Sequence, residues 1–88
     1  MKCEIRKVPE MEIGLNREFF IALVNTINEA KDFEDLKERM YLLFSYKIKL
    51  HNIFWDYGWT NKGLSVWYGS TANEILVAEC DTSEYLEK

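Results

Sequence analysis

Alternation of hydrophobic and polar residues predicts short strands at both ends of the chain. The stretch KCEIRKV, residues 2–8, has a two-residue period, which is typical of a strand. The same period recurs at residues 55–60 and 64–68, on either side of the sequence TNKG. The apolar run at residues 75–80 predicts one more strand. We therefore expect an antiparallel three-stranded meander in the C-terminal part, with the N-terminal strand free to join the sheet at an edge.

The turn between the two aromatic strands sets which side chains share a face. We expect a three-residue loop, in which Gly63 takes a positive φ and Thr60 pairs with Leu64. Trp59 then lies opposite Ser65. This register puts one set of rings on one side of the ribbon: Trp55, Tyr57, Trp59 and Trp67. The other side carries Leu64, Val66 and Tyr68.

The period changes to that of a helix between the first strand and the aromatic strands. Asn16 is the expected N-cap of the first helix, whose apolar positions are Phe20, Leu23, Val24, Ile27 and Ala30. Asp32 is the expected cap of the second helix, whose apolar stripe is Phe33, Leu36, Met40, Leu43 and Phe44. The short connection predicts an antiparallel helical hairpin. Residues 45–50 alternate like a strand, but nothing there breaks a helix, so we favour a helix that continues to about residue 50.

These elements predict a small α+β protein with the order β-α-α-β-β-β. The chain has 88 residues, 48% of them hydrophobic and 30% charged, which is typical of a globular protein of one domain, residues 1–88. We expect two layers, with the helical hairpin covering one face of the sheet. The aromatic face is the one expected in the core. In the alternative interpretation, the aromatic face points outward. Two helices can cover only one face of the sheet, so the uncovered face would need a partner or a second copy of the chain.

The charge distribution argues against direct binding of nucleic acid. The net charge is −4, and residues 1–51 carry equal numbers of acidic and basic side chains. The excess negative charge therefore lies in residues 52–88, and the basic stripe that would displace counterions from a phosphate backbone is missing. Four carboxylates near the C-terminus can instead face a basic protein surface: Glu79, Asp81, Glu84 and Glu87. The simpler alternative is that they only keep the protein in solution.

The sequence contains no recognisable catalytic, cofactor or metal-binding motif. His51 is the one histidine, and no serine or cysteine has a motif that would pair it with a base. The acidic run DFED, residues 32–35, is explained by capping and by the dipole of a helix. Cys3 and Cys80 can form one disulfide, but we expect reduced thiols in a cytoplasmic protein. The N-terminus lacks the apolar core of a signal peptide, and no run reaches the length of a membrane span.

We therefore expect a non-enzymatic protein that binds a larger protein. The proposed contact residues are three aromatic side chains and the acidic end: Trp55, Tyr57, Trp59, Glu79, Asp81, Glu84 and Glu87. Trp59, next to the turn, should be the most exposed of the three indoles. Inhibitors and adaptors, including phage-encoded proteins that block bacterial defence systems, are similar in size and character, although no motif identifies one here. The alternative is a small-ligand binder that stacks a flat ring on the aromatic face, with Lys47, Lys49 or Lys62 neutralising the ligand.

Overall fold

The computed structural model describes residues 2–10, 14–49, 54–69 and 73–82, without the side chains of residues 15 and 47–49. Six elements follow one another in the predicted order β-α-α-β-β-β, which confirms the α+β class. They belong to two compact units. The helical unit lies within residues 10–53, and the sheet unit is formed from residues 1–9 and 54–88. The two-layer arrangement stays a prediction.

Helix α1 spans Leu15–Glu29, and its N-terminus differs from the prediction. Gly14, not Asn16, is the N-cap, and no side chain caps the helix. The Glu18 N–H donates to the Gly14 carbonyl at 3.0 Å. Gly14 has a φ of 151°, which other residues rarely adopt, so the helix can begin two residues earlier than a side-chain cap at Asn16 would allow.

Helix α2 spans Phe33–Lys49, and Asp32 caps it as predicted. The Asp35 N–H donates to Asp32 Oδ1 at 2.8 Å, while Asp35 Oδ2 accepts the Lys31 N–H at 3.0 Å. Arg39 Nε also donates to Asp35 Oδ2, at 2.9 Å. The Lys31 backbone N–H, and then Arg39, lower the pKa of Asp35. The structure also confirms that residues 45–49 continue the helix, whereas residue 50 lies outside the described residues.

The two helices form the predicted antiparallel hairpin. The Phe19 ring, near the start of α1, packs edge to face on the Phe44 ring, near the end of α2, with centroids 5.2 Å apart. The buried side chains of the helical unit are Phe19, Leu23, Ile27, Leu36, Met40 and Phe44. Phe19 therefore takes the core position predicted for Phe20, because its four-residue spacing to Leu23 and Ile27 makes a narrower apolar stripe.

The sheet has four antiparallel strands in the order β1-β4-β3-β2. Their bounds are Lys2–Ile5 for β1, Trp55–Thr60 for β2, Gly63–Tyr68 for β3 and Ile75–Asp81 for β4. The N-terminal strand joins at one edge, as predicted, and β2 forms the other edge. A register irregularity separates Val66 and Trp67 in the pairing of β3 with β4.

The predicted register of the aromatic hairpin is wrong by one residue. Thr60 pairs with Gly63, not with Leu64, so the turn has two residues and Trp59 lies opposite Leu64. Gly63 does have a positive φ, 140°, but it belongs to the strand and pairs with Asp81 of β4. A Cβ atom there would lie 2.1 Å from the Cys80 carbonyl oxygen. The strand approaches β4 closely at this glycine, which the local turn pattern does not reveal.

The corrected register redistributes the aromatic residues over two faces. The apolar face carries alternate residues of the paired strands: Trp55, Tyr57, Trp59, Leu64, Val66, Tyr68, Ala78 and Cys80. Trp67 lies on the opposite, polar face, where its ring covers Gly58. A Cβ on Gly58 would be 3.5 Å from Trp67 Cζ3, an ordinary van der Waals distance. The apolar face contains the buried hydrophobic side chains of the aromatic hairpin, which are Trp55, Leu64 and Val66.

Cys3 and Cys80 are joined by a disulfide, contrary to the expected reduced thiols. They lie directly opposite each other in the pairing of β1 with β4, with Cα atoms 3.9 Å apart. The bond links residues 77 positions apart in sequence and ties the edge strand to its neighbour. Strand pairing brings the two sulfurs together, and cysteine spacing alone does not predict it.

Candidate protein-binding surface at the sheet edge

The three aromatic residues proposed as contacts all lie on edge strand β2, at different depths. Trp55 is only 1% exposed, and its ring centroid is 4.7 Å from that of Tyr68 on β3. Trp55 is therefore a core residue that a docking partner does not reach, and its assignment as a contact is corrected. Tyr57 is half-buried and Trp59 is exposed, so the accessible aromatic surface begins at Tyr57.

Trp59 is the most exposed of the three indoles, as predicted, with 41% of its surface accessible. The predicted register placed the small residue Ser65 opposite Trp59, but Ser65 pairs with Gly58 and lies on the other face of the sheet. The cross-strand partner of Trp59 is Leu64, which is 1% exposed. The Tyr57 ring meets the Trp59 ring at 82°, with centroids 6.5 Å apart. The two rings are neighbours on one face of an edge strand, and the indole remains accessible.

Phe54 adds an exposed ring at the start of the same edge strand, at a position that was not among the predicted contacts. Its side chain is 45% exposed, and its ring centroid is 6.1 Å from that of Tyr68. The Phe54 carbonyl accepts the Gly69 N–H at 2.9 Å, so the residue continues the pairing of β2 with β3. The sequence could have identified Phe54, because it lies directly before the alternating aromatic residues of β2. We call Phe54, Tyr57 and Trp59 the aromatic edge.

Asp56 orders the backbone of the aromatic edge. Its carboxylate oxygen Oδ1 accepts the N–H of Tyr57 at 2.8 Å, while the residue itself is exposed. The side chain thus occupies a donor of the edge strand and adds a negative charge beside the aromatic rings. Charged groups on an edge strand disfavour indiscriminate strand pairing. The surface is therefore adapted to contact through side chains.

Of the four proposed acidic residues, Glu79 and Asp81 lie in the described part of the chain, where both line one groove on the polar face. Glu79 binds Arg6, whose Nε donates to Glu79 Oε1 at 2.6 Å and whose Nη2 donates to the same oxygen. Arg6 Nε also lies 3.1 Å from Glu4 Oε1. The hydrogen bond to Glu79 and the charges of both glutamates raise the pKa of Arg6. Asp81 is exposed at the end of β4, and Glu84 and Glu87 lie outside the described residues.

A groove of about 730 Å³ lies on the polar face beside these charges. Gly63 and Ser65 line it together with the cations Lys2 and Lys62 and the Arg6–Glu79 pair. Ser65 is 9% exposed, and its hydroxyl makes no hydrogen bond within the described residues. Cationic and anionic side chains are mixed along the groove. It is a separate polar surface, on the face opposite the aromatic edge.

The helical unit carries a second exposed apolar surface that the sequence analysis did not identify. Tyr41, Leu42 and Tyr46 of α2 are 67%, 59% and 57% exposed. Leu42 and Tyr46 are four residues apart, so they lie on the same side of the helix. Their exposure could have been predicted from the sequence, because these residues lie just outside the apolar stripe of α2. These residues supply exposed controls for the aromatic edge.

Within the described residues, no group of three or more histidine, cysteine, aspartate or glutamate side chains could hold a metal ion. The described helices are also too short or too polar to cross a membrane. Comparison with protein-family models, with curated proteins and with solved structures returned no match for this chain.

Proposed function

We propose that this chain is a non-enzymatic protein-binding module whose aromatic edge docks on a larger protein. The observation that carries the proposal is Trp59, an indole that is 41% exposed on an edge strand and held beside Tyr57. Tryptophan and tyrosine are enriched among the residues that contribute most to binding at protein interfaces. An indole already fixed in the free protein loses little conformational entropy on binding.

The arrangement of the rings supports a protein partner over a flat small molecule. Tyr57 and Trp59 meet edge to face, so they do not form two parallel walls between which a base could stack. Trp55, which would be needed to enlarge an aromatic slot, is buried. The exposed indole of Trp59 is instead suited to fill a hydrophobic pocket on a protein partner.

The charge near the aromatic edge suits a partner whose surface is basic. Asp56 is exposed on the same edge strand as the rings, and the chain has a net charge of −4. Complementary charge chiefly speeds association, whereas the buried aromatic anchor slows dissociation. An inhibitor or adaptor that covers a basic surface of its target, as in the phage anti-defence proteins of similar size, is the form of this function that we favour.

Affinity capture with matched variants tests the proposal. The wild-type chain, Trp59→Ala and Tyr41→Ala are immobilised and exposed to a lysate of the organism that encodes the chain. Tyr41 is more exposed than Trp59 and lies on the helical unit, so it controls for loss of an exposed ring. We expect one stoichiometric protein with the wild type and with Tyr41→Ala, and its loss with Trp59→Ala. Retention of that protein by a folded Trp59→Ala variant would contradict the proposal.

The alternative function, small-ligand binding, is better supported at the groove on the polar face than at the aromatic rings. The groove volume of about 730 Å³ lies within the range of ligand pockets, and the Ser65 hydroxyl and the ammonium groups of Lys2 and Lys62 can bind polar groups. Native mass spectrometry of the purified protein tests this alternative. A bound small molecule that is lost on Ser65→Val substitution would favour it over the protein-binding function.

A further inference from the structure

Strand β1 has an outer edge that no described residue pairs with. The Arg6 N–H donates to the Val77 carbonyl at 2.7 Å, so Arg6 and the even-numbered residues before it turn their backbone groups toward β4. The N–H and C=O groups of Cys3 and Ile5 consequently point away from the sheet. Among the described residues, none bonds to these four groups. An exposed edge of this kind is a template for another strand.

We propose that a second copy of this chain docks antiparallel on β1, with the twofold axis at Ile5. In this register the two Ile5 residues exchange both backbone hydrogen bonds, and their side chains meet across the axis. Ile5 is 36% exposed in the single chain, so the contact removes apolar surface from water. The proposal rests on β1 alone and does not depend on the aromatic edge.

Charge complementarity distinguishes the axis at Ile5 from the neighbouring axis at Glu4. With the axis at Ile5, Glu4 of each copy lies directly opposite Arg6 of the other, which gives two opposite-charge pairs on the polar face. Moving the axis to Glu4 would place the two Glu4 side chains together and Lys2 opposite Arg6, so both contacts would be repulsive. An axis at Cys3 would also place opposite charges together, Lys2 opposite Glu4, but it would leave Arg6 outside the paired residues, so variants at Arg6 distinguish the two registers.

Arg6 retains a donor for the second copy. Its Nε and Nη2 atoms contact Glu79 and Glu4 of its own chain. Its Nη1 atom makes no hydrogen bond within the described residues and can donate to Glu4 of the other copy. Glu79 holds the guanidinium over the polar face, so the side chain is already ordered before the copies meet.

The dimer would be one continuous sheet of eight strands. The four-stranded sheet has β1 at one edge and β2 at the other, so pairing through β1 leaves both β2 strands at the outer ends. Each dimer would carry two aromatic edges on opposite ends. A partner with two equivalent sites, or a partner that is itself dimeric, would then bind with avidity.

Charge-reversal variants test the dimer by sedimentation equilibrium. In Glu4→Arg, the new arginine of each copy lies opposite Arg6 of the other copy. In Arg6→Glu, the new glutamate of each copy lies opposite Glu4 of the other copy. Because both contacts are repulsive, each variant alone should dimerise at least about tenfold more weakly than the wild type. Mixing the two variants restores both opposite-charge pairs, and we expect a heterodimer. The double variant E4R/R6E should also recover dimerisation. Lys37→Glu, a reversal on the helical unit, controls for net charge and should leave the dimer unchanged.

Three results would overturn the proposal. The first is a wild-type protein that stays monomeric at millimolar concentration. The second is an Arg6→Glu variant that dimerises like the wild type, since this would exclude the axis at Ile5. The third is an equimolar mixture of the two single variants that shows no association although both are folded by circular dichroism. Ile5→Pro, which removes the outward N–H at the axis, adds an independent check.

Discussion

Trp59 of β2 lies directly opposite Leu64 of β3, and the two side chains share the apolar face of the sheet. Leu64 is 1% exposed, whereas Trp59 is 41% exposed. Cross-strand neighbours of this kind have Cβ atoms only about 5 Å apart. The indole therefore stands at the boundary between the buried part of the apolar face and solvent, which is where an interface anchor can be both ordered and accessible.

Truncating a leucine at the centre of the helical hairpin should destabilise the protein strongly. Leu23 and Leu36 are both fully buried, so Leu23→Ala or Leu36→Ala should cost about 2 to 5 kcal/mol of unfolding free energy. Leu42→Ala removes the same atoms from a side chain that is 59% exposed and should change stability by less than about 1 kcal/mol. Urea unfolding of the three variants measures the difference. Equal losses at all three positions would show that the helical faces are assigned wrongly.

Gly63 should tolerate substitution far less well than Gly58. A methyl group at Gly63 would lie 2.1 Å from the Cys80 carbonyl oxygen, and the φ of 140° is unfavourable for alanine. We therefore expect Gly63→Ala to cost more than about 2 kcal/mol. At Gly58 the new methyl group would only touch the Trp67 ring, at 3.5 Å, so Gly58→Ala should stay within about 1 kcal/mol of the wild type. Thermal melting of both variants decides whether β3 approaches β4 as described.

The carboxylate of Asp35 should make stability depend on pH in the acidic range. Its pKa is lowered from the ordinary value of 3.8 by the Lys31 backbone N–H and by Arg39. A lowered pKa in the folded state stabilises the protein above the unfolded pKa, and this contribution is lost as the pH falls through the folded pKa. Asp35→Asn should therefore lower stability at neutral pH and reduce the loss below about pH 4. Denaturant unfolding from neutral to acidic pH measures the free energy of unfolding of the wild type and of Asp35→Asn, with Glu74→Gln as the control.

Reduction of the disulfide should weaken the sheet unit. The bond between Cys3 and Cys80 closes a loop of 77 residues, so its loss should cost about 2 to 4 kcal/mol. Edge strand β1 should separate first, because β4 is the only described strand that pairs with it. Hydrogen exchange of the Glu4 backbone amide, measured with and without dithiothreitol, reports this separation. We expect faster exchange after reduction. Unchanged protection after complete reduction would mean that strand pairing alone holds β1.

Local pattern predicted the helices well because their determinants are close in sequence. The four-residue spacing of Leu36, Met40 and Phe44 predicted their burial, and Asp32 was correctly identified as the cap. The hairpin register could not be predicted in this way. It depends on Gly63 fitting against the Cys80 carbonyl of another strand, a contact between residues 17 positions apart. Burial of Trp55 and pairing of the two cysteines likewise depend on strand neighbours distant in sequence.

The candidate surface was predicted in part. Alternation placed Tyr57 and Trp59 on one face, and position next to the turn predicted that Trp59 is exposed. The same alternation placed Trp55 on the expected core face, but it could not show that Trp55 is buried while Trp59 is exposed, because depth along a strand depends on what packs beside it. Trp67 was assigned to the wrong face by the one-residue shift. The acidic residues were chosen from composition, which does not show that Glu79 is bound to Arg6.

Fluorine NMR can measure whether Trp59 is the anchor for a protein partner. Protein labelled with 5-fluorotryptophan should give a resonance for each of its three indoles, assigned with single Trp→Phe variants. In the free protein the Trp59 resonance should respond most to exchange of H₂O for D₂O, and that of Trp55 least. On saturation with the captured partner, the Trp59 resonance should shift and lose its solvent response, while that of Trp55 stays in place. If the partner binds fully while the Trp59 resonance and its solvent response remain unchanged, Trp59 is not the anchor of the interface.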